Sequence, residues 1–188
     1  MKNIINKKIT IFSAITLFII LLTVSCSTAV KRAAPLEKDD LTISYKNGEF
    51  SLLSTPYRKF TNIAGNTGIW EDDNRFHYTW NEGQAGFITV PGLMSPQLAM
   101  ITLSENFTTP RGIKKGSTTD ELLNAYPENF STSRGGNGTW YEYRWTIKDR
   151  PGLTGDNTYR LSFFVEKGVV DSVMLRLESK EADEIPVG

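Results

Sequence analysis

The sequence predicts an α+β fold, in which an antiparallel sheet carries two short helices on one face. Short segments of alternating apolar and polar residues are numerous, and turn residues such as Asn47-Gly48 and Lys167-Gly168 separate them. Only two segments carry helix-start signals. Both halves of the chain, residues 41–105 and 106–178, follow the order helix and then three strands. This order favours tandem duplication of a helix-plus-three-strand module.

Folded structure is expected to begin at Leu41, where apolar and polar residues start to alternate. Asn47-Gly48 stands between two such runs, which is the strongest short-range signal for a β-hairpin. Thr55-Pro56 then resembles a helix cap followed by proline at the first helical position, and Gly65 would end that helix. Residues 66–74 are predicted as a loop.

Three strands follow in each half. In the first half they cover residues 76–80, 85–90 and 98–103. The second half begins with two overlapping capping boxes, Ser117 with Asp120 and Thr118 with Glu121, which predict a helix ending near Pro127. Residues 131–138 are predicted as a glycine-rich loop. Strands are then predicted over residues 141–145, 159–166 and 169–178.

The two halves share short patterns. Phe76-x-Tyr78-x-Trp80 corresponds to Tyr141-x-Tyr143-x-Trp145, residues 99–103 correspond to 173–177, and Thr55 corresponds to Ser117 as helix cap. Aromatic alternation also occurs in any half-buried sheet, so patterns this short can arise by chance. The predicted core comprises Leu122, Leu123, Tyr143, Trp145, Leu161, Phe163, Val173, Leu175 and Leu177.

The first 26 residues have the layout of an export signal. Three lysines precede an uncharged, apolar run over residues 9–25, and Cys26 follows a small residue. This resembles the lipobox of bacterial lipoproteins, although Thr23 stands where leucine is usual. The resemblance implies that Cys26 receives a diacylglyceryl group, that residues 1–25 are removed, and that the new amino end is acylated with a palmitate-type chain. The alternative is an uncleaved membrane anchor, for which the run is slightly short of ~20 residues.

Residues 26–40 are predicted to be a flexible tether behind the lipidated cysteine, because they are small, charged or proline without an apolar period. Residues 41–178 form the predicted globular domain, and residues 179–188 a charged tail. Removing residues 1–25 takes away three lysines, which leaves 18 basic against 21 acidic residues, or −3. This charge argues against nucleic acid as a partner. The predicted location is the cell envelope, and the outer membrane if the source has one, because Ser27 is not the aspartate of inner-membrane retention.

A second resemblance involves the second half. Arg111-Gly112-Ile113-Lys114-Lys115-Gly116-Ser117 opens a helical segment, and residues 163–173 form a Lys-Gly hairpin. Together they resemble the small α/β modules of the SmpA/OmlA lipoproteins and the tandem repeats of the β-lactamase inhibitory proteins. The resemblance implies a non-enzymatic scaffold that binds other proteins through its sheet and loops.

No catalytic, cofactor or metal site is predicted. His77 is the only histidine, and a lone strand histidine rarely acts as a catalyst without a positioned partner. Cys26 is the only cysteine, so lipidation would leave no free thiol. Glu71-Asp72-Asp73-Asn74 could offer oxygen ligands to a cation, but it lacks the spacing of an EF-hand loop.

The aromatic residues give the clearest indication of binding. Trp70 and Trp140 adjoin polar segments and are candidates for exposed contact, because tryptophan is enriched at binding hot spots. The predicted contact surface is the helix-free face of the sheet with Trp70, His77, Trp140 and Arg144. The expected partner is an envelope protein. The alternatives are binding of envelope glycan (peptidoglycan) and hydrolysis of the cell wall by a carboxylate pair.

Overall fold

The computed structural model of the protein describes residues 33–65, 69–72, 75–147 and 157–178, without the side chains of residues 69–72, 75 and 76. All of these belong to one compact unit, Arg32–Gly188. The α-helices are α1 (Tyr57–Ala64) and α2 (Thr119–Ala125), and a 3-10 helix covers Lys38–Leu41. The strands are β1 (Thr42–Tyr45), β2 (Gly48–Ser51), β3 (Ile69–Asp72), β4 (Arg75–Trp80), β5 (Gly83–Ile88), β6 (Gln97–Leu103), β7 (Phe107–Thr108), β8 (Phe130–Gly135), β9 (Gly138–Ile147), β10 (Asn157–Glu166) and β11 (Val169–Glu178).

Eight strands form one antiparallel sheet in the order β3-β4-β5-β6-β11-β10-β9-β8. The last strand of each half, β6 and β11, meet at its centre, with Leu175 opposite Ile101. Both helices lie on the same face. Phe60 of α1 packs on Tyr78, at 5.5 Å between ring centroids, and Tyr126 after α2 packs on Tyr143 at 5.2 Å. Cross-strand pairing places Tyr78 and Tyr143 in one row, and therefore on the same face of the sheet. Both helices cover that face, so the predicted α+β fold is confirmed.

Each half contributes four strands to this sheet rather than the predicted three. β3 lies within the predicted loop at residues 66–74, and β8 overlaps the predicted glycine-rich loop at residues 131–138, beginning one residue before it. Both are edge strands in which apolar and polar residues do not alternate, which is why the pattern did not indicate them. The predicted hairpin at Asn47-Gly48 is confirmed, but β1 and β2 join β7 in a separate three-stranded sheet.

Helix α1 begins one residue later than predicted, and α2 uses the second of its two predicted capping boxes. Pro56, not Thr55, is the N-cap of α1, and the Thr55 hydroxyl accepts a hydrogen bond from the Ser51 backbone N–H at 2.8 Å instead. In α2 the capping box is Thr118 with Glu121, whereas Ser117 lies before the helix. Gly65 ends α1 as predicted, with φ of 86°, a conformation that favours glycine.

The core lies between the eight-stranded sheet, the helices and the three-stranded sheet. Seven of the nine predicted core residues are buried, and Leu123 and Trp145 are half-buried. Leu175 is fully buried on the helix side, which confirms the predicted face of β11. The largest contribution comes from buried rings on both halves: Tyr45, Phe50, Phe60, Tyr78, Phe87, Tyr126, Tyr143, Tyr159 and Phe163.

Folded structure begins before the predicted boundary at Leu41. Arg111 donates two hydrogen bonds of 2.7 Å to the Asp40 carboxylate, and others to the backbone oxygens of Ala34 and Pro35. It also donates to the Ala125 oxygen at the end of α2. The segment from Ala33 to Asp40 is therefore held against the second half. These residues of the tether predicted over residues 26–40 belong to the folded domain.

A polar cluster connects the small sheet to the large one. The Tyr45 hydroxyl donates to the Glu82 carboxylate at 2.6 Å and accepts from the Trp80 indole N–H at 3.1 Å. Asn106 and Lys46 also contact Glu82, at 3.0 and 2.9 Å. The hydrogen bond from Tyr45, followed by those from Asn106 and Lys46, lowers the pKa of Glu82 to about 2.

Candidate binding face

The face of the large sheet opposite the helices is the candidate site. We call it the helix-free face. Cross-strand pairing aligns His77, Gly86, Met100, Arg176, Arg160 and Arg144 in one row across six strands. The described side chains of this face also include Thr79, Gln84, Thr102, Trp140, Glu142, Ser162, Phe164, Ser172, Met174 and Glu178.

Three arginines occupy adjacent positions of this row. Arg160 of β10 is directly opposite Arg144 of β9 on one side and Arg176 of β11 on the other. Like charges in this arrangement are unfavourable unless acidic groups compensate them. Glu142 and Glu178 do so for Arg144 and Arg160.

Both glutamates contact the same two arginines. Arg144 lies 3.1 Å from the Glu142 carboxylate and 3.3 Å from that of Glu178. Arg160 forms ion pairs with the same groups at 3.7 and 3.1 Å. The Arg144 side chain is 44% exposed and that of Arg160 17% exposed. The network therefore holds two guanidinium groups in fixed positions, one of them readily accessible to a partner.

An aromatic pair lies beside this network. The rings of Trp140 and Phe164 are 5.1 Å apart at an angle of 46°, and both side chains are half-buried. Two glycines of the β8–β9 hairpin make room for them. A Cβ atom on Gly138 would approach the Phe164 ring to 2.6 Å, and one on Gly135 would approach the Trp140 indole nitrogen to 2.8 Å. The hairpin sequence thus allows both rings to lie across it.

The face contains residue types that are enriched at protein interface cores together with types that are depleted there. Aromatic residues, methionine and arginine are enriched at such cores, whereas lysine, glutamate and serine are depleted. Of the enriched types on β9–β11, Trp140, Phe164 and Arg144 are partly accessible, and Met174 and Arg176 are buried.

The predicted contact residues fall at two places rather than one. Trp140 and Arg144 lie together on β9, whereas His77 lies on β4, five strands away, or roughly 24 Å at ~4.8 Å per strand. Trp70 is opposite His77 in the backbone register of β3 and β4. Cys26, the predicted lipid attachment site, lies outside the described residues, as do residues 1–25 and 179–188.

Several residues of the face were missed by sequence reasoning. Alternation with the core residues of β10 and β11 could have placed four of them on this face: Arg160, Phe164, Arg176 and Glu178. Alternation does not show which of them lie next to Arg144, because that depends on the register of three strands.

The face offers no evident catalytic arrangement among the described residues. The Ser162 hydroxyl is buried without a hydrogen-bond partner, but His77 lies four strands away, roughly 19 Å, too far to act as its base. The two carboxylates that β9 and β11 place on this face, Glu142 and Glu178, form ion pairs with guanidinium groups. In the parts of the chain that are described, no three histidine, cysteine, aspartate or glutamate residues form a group that could hold a metal ion.

Comparisons with known proteins do not extend these observations. The chain matched no protein-family model, no curated protein and no solved structure. Across residues 33–65, 69–72, 75–147 and 157–178, no helix is long and apolar enough to cross a membrane. The lipobox and the two module resemblances therefore remain predictions from the sequence.

Proposed function

We propose that this chain is a lipid-anchored protein of the cell envelope that binds another envelope protein and is not an enzyme. The observation that carries the proposal is the cluster on one face of Trp140 and Phe164, both partly accessible, with the exposed Arg144 of the arginine–glutamate network. Prearranged arginines and rigid aromatic rings lower the entropy cost of binding. They also supply the residue types that dominate interface energetics.

The proposed anchor and the fold together limit how far the domain can extend from the membrane. Cys26 and Ala33, where the described chain begins, are seven residue steps apart. Seven steps span at most ~25 Å when fully extended. Because Arg111 fixes Ala34 and Pro35, the domain would act close to the lipid headgroups.

The anchor has a direct test. Mass spectrometry of the membrane fraction should find an acylated peptide that begins at Cys26, and Cys26→Ala should release the protein from the membrane. Recovery of residues 1–30 intact and unmodified from the mature protein would contradict the anchor. That result would concern the anchor alone, because the capture experiment tests the binding face independently.

Binding is tested by affinity capture with the tagged full-length chain from detergent-solubilised envelopes. A protein captured by the wild type should be lost with Trp70→Ala plus Trp140→Ala and with Arg144→Ala. It should be retained by Arg58→Ala, a matched change on the exposed side of α1. Binding must then be reproduced with the purified partner. Equal capture by Arg144→Ala and Arg58→Ala would contradict the proposed face.

The alternatives make different predictions for the same protein. A glycan-binding protein would sediment with purified peptidoglycan and lose that property with Trp140→Ala. A cell-wall hydrolase would release soluble fragments from peptidoglycan, and a single acidic substitution would abolish the release. Turnover of that kind would overturn the proposal.

A further inference from the structure

Strand β8 forms an open edge of the large sheet. It is the last strand of that sheet, and in the part of the chain that the structure describes it pairs with β9 alone. Its central residues, Ser131 to Arg134, are all exposed. Such an edge presents unpaired backbone N–H and C=O groups, which are a template for pairing with a further strand.

The strand lacks the features with which proteins usually block this pairing. It is six residues long, contains no lysine or proline, and pairs with β9 in an unbroken register without a bulge. The other described edge strands are shorter. β2 and β3 have four residues each and carry acidic residues, and β7 has two. Of these edges, β8 is therefore the best suited to receive a strand.

The register of the β8–β9 hairpin shows which backbone groups point outward. Gly135 is opposite Gly138 across a two-residue turn, so these two residues form a hydrogen-bonded pair. Hydrogen-bonded pairs recur at every second residue of an antiparallel ladder. Thr132 and Arg134 lie between such pairs and direct their N–H and C=O groups away from β9. The edge therefore offers two donors and two acceptors to a further strand.

This edge continues the helix-free face. Ser131 and Ser133 of β8 lie directly opposite Glu142 and Trp140. The Arg144 guanidinium donates a hydrogen bond of 3.4 Å to the Ser131 hydroxyl. A partner that covers Trp140 and Arg144 would therefore also reach the edge of the sheet.

The charge of the edge indicates the chemistry of the strand that it would receive. Arg134 is exposed, and no ion pair among the described residues includes it. No residue of β8 is acidic. Opposite charges on neighbouring strands are favourable and like charges are not, so an acidic strand is favoured over a basic one.

We infer that an extended, acidic segment of the protein partner adds to β8 as a ninth strand of the large sheet. In this mode of recognition, backbone hydrogen bonds supply affinity and the side chains of the added strand supply specificity. The backbone groups would be those of Thr132 and Arg134. The inference rests on the proposed function, because it specifies how the same partner is bound.

Hydrogen exchange of backbone amides tests the pairing directly. It would be followed by NMR on the full-length chain in detergent micelles, with and without the captured and purified partner. The Thr132 and Arg134 amides should exchange at least about tenfold more slowly in the complex, because they become hydrogen-bonded. Glu49 is the matched control, since it lies one residue beyond the pair that closes a two-residue turn, on the edge strand β2. Its amide should exchange equally fast in both samples.

Two variants test the same hydrogen bonds by affinity. Thr132→Pro removes an N–H that β9 does not use, a position at which a sheet tolerates proline. It should weaken binding by at least about tenfold, through the lost hydrogen bond and the obstructing ring. Thr132→Val keeps the N–H and the strand propensity, and should change the affinity by less than about threefold. Circular dichroism checks that both variants are folded, and the exchange measurement on the unmodified chain does not depend on either.

The outcomes separate this inference from the proposed function. A complex in which the Thr132 and Arg134 amides exchange as fast as in the free protein would overturn the inference and leave the binding face intact. Equal affinities of folded Thr132→Pro and Thr132→Val would do the same. Protection that grows with the concentration of the free protein would also overturn it, because a second copy would then occupy the edge. If no protein is captured, the proposed function and the inference fail together.

Discussion

The two halves of the large sheet share one plan but present different chemistry. In each half a helix is followed by four antiparallel strands. An aromatic residue in or just after the helix packs on two aromatic residues of the sheet. Phe60 packs on Tyr78 and Phe87, and Tyr126 packs on Tyr143 and Phe163. On the opposite face, the described side chains of β4 and β5 include no acidic group, arginine or tryptophan, whereas β9–β11 carry the arginine network and the aromatic pair. The comparison teaches that the helix side maintains the fold and that the helix-free face of the second half carries the candidate function.

The largest expected effect tests whether the two halves depend equally on their buried rings. Phe60 and Phe163 are both fully buried, one in each half. Phe60→Ala and Phe163→Ala should each lower the free energy of unfolding by ~3–5 kcal/mol, through lost burial and the cavity left behind. Urea unfolding followed by circular dichroism measures both. A loss under 1 kcal/mol in either variant would show that the halves are not packed alike.

The second prediction concerns the N-terminal segment, which is bound to the second half. Arg111→Ala leaves the Asp40 carboxylate, whose side chain is 5% exposed, without its guanidinium partner. Breaking such a pair should cost ~3 kcal/mol. Lys115→Ala, which removes surface pairs with Glu105 and Asp171, should cost under ~1 kcal/mol. Combining Arg111→Ala with Asp40→Asn should recover part of the loss, and no recovery would show that the contact acts through packing alone.

The smallest predicted effect on stability arises in the first half, at Glu82. Its pKa is about 2 in the folded protein against 4.5 for an ordinary glutamate, so its contribution is present above pH 4.5 and is lost as pH falls toward 2. We expect a loss of about 1–2 kcal/mol over that interval, reduced by the partial exposure of the carboxylate. Glu82→Gln should remove this part of the pH dependence. The assignment would be contradicted if the free energies of unfolding of the wild type and the variant fell by the same amount between pH 5 and pH 2.5.

The sequence predicted the elements whose signals are local. Asn47-Gly48 and the capping box of Thr118 with Glu121 specify their structures within a few residues, and both are confirmed. The edge strand β8 was missed because its central residues, Ser131 to Arg134, are all polar and exposed. The early start of the fold was missed because Arg111 holds Asp40 from 71 residues away.

The candidate site was predicted in part for the same reason. Arg144 was placed on the helix-free face by alternation within its strand, and Trp140 was chosen because it adjoins a polar segment. The alignment of Arg144, Arg160 and Arg176 was not predicted, because it requires the pairing of β9, β10 and β11 in one register. A tandem duplication stays a prediction, although the order of elements is the same in both halves.

The most direct test of the central claim compares the two halves on the same face. The affinity of the captured partner would be measured by calorimetry for two variants of the full-length chain: Trp140→Ala plus Arg144→Ala in the second half, and Thr79→Ala plus Gln84→Ala in the first. We expect the second-half variant to weaken binding by at least tenfold, because aromatic and arginine anchors carry most of the energy of an interface. The first-half variant should change it by less than about threefold. Equal losses, or the larger loss in the first half, would contradict the account.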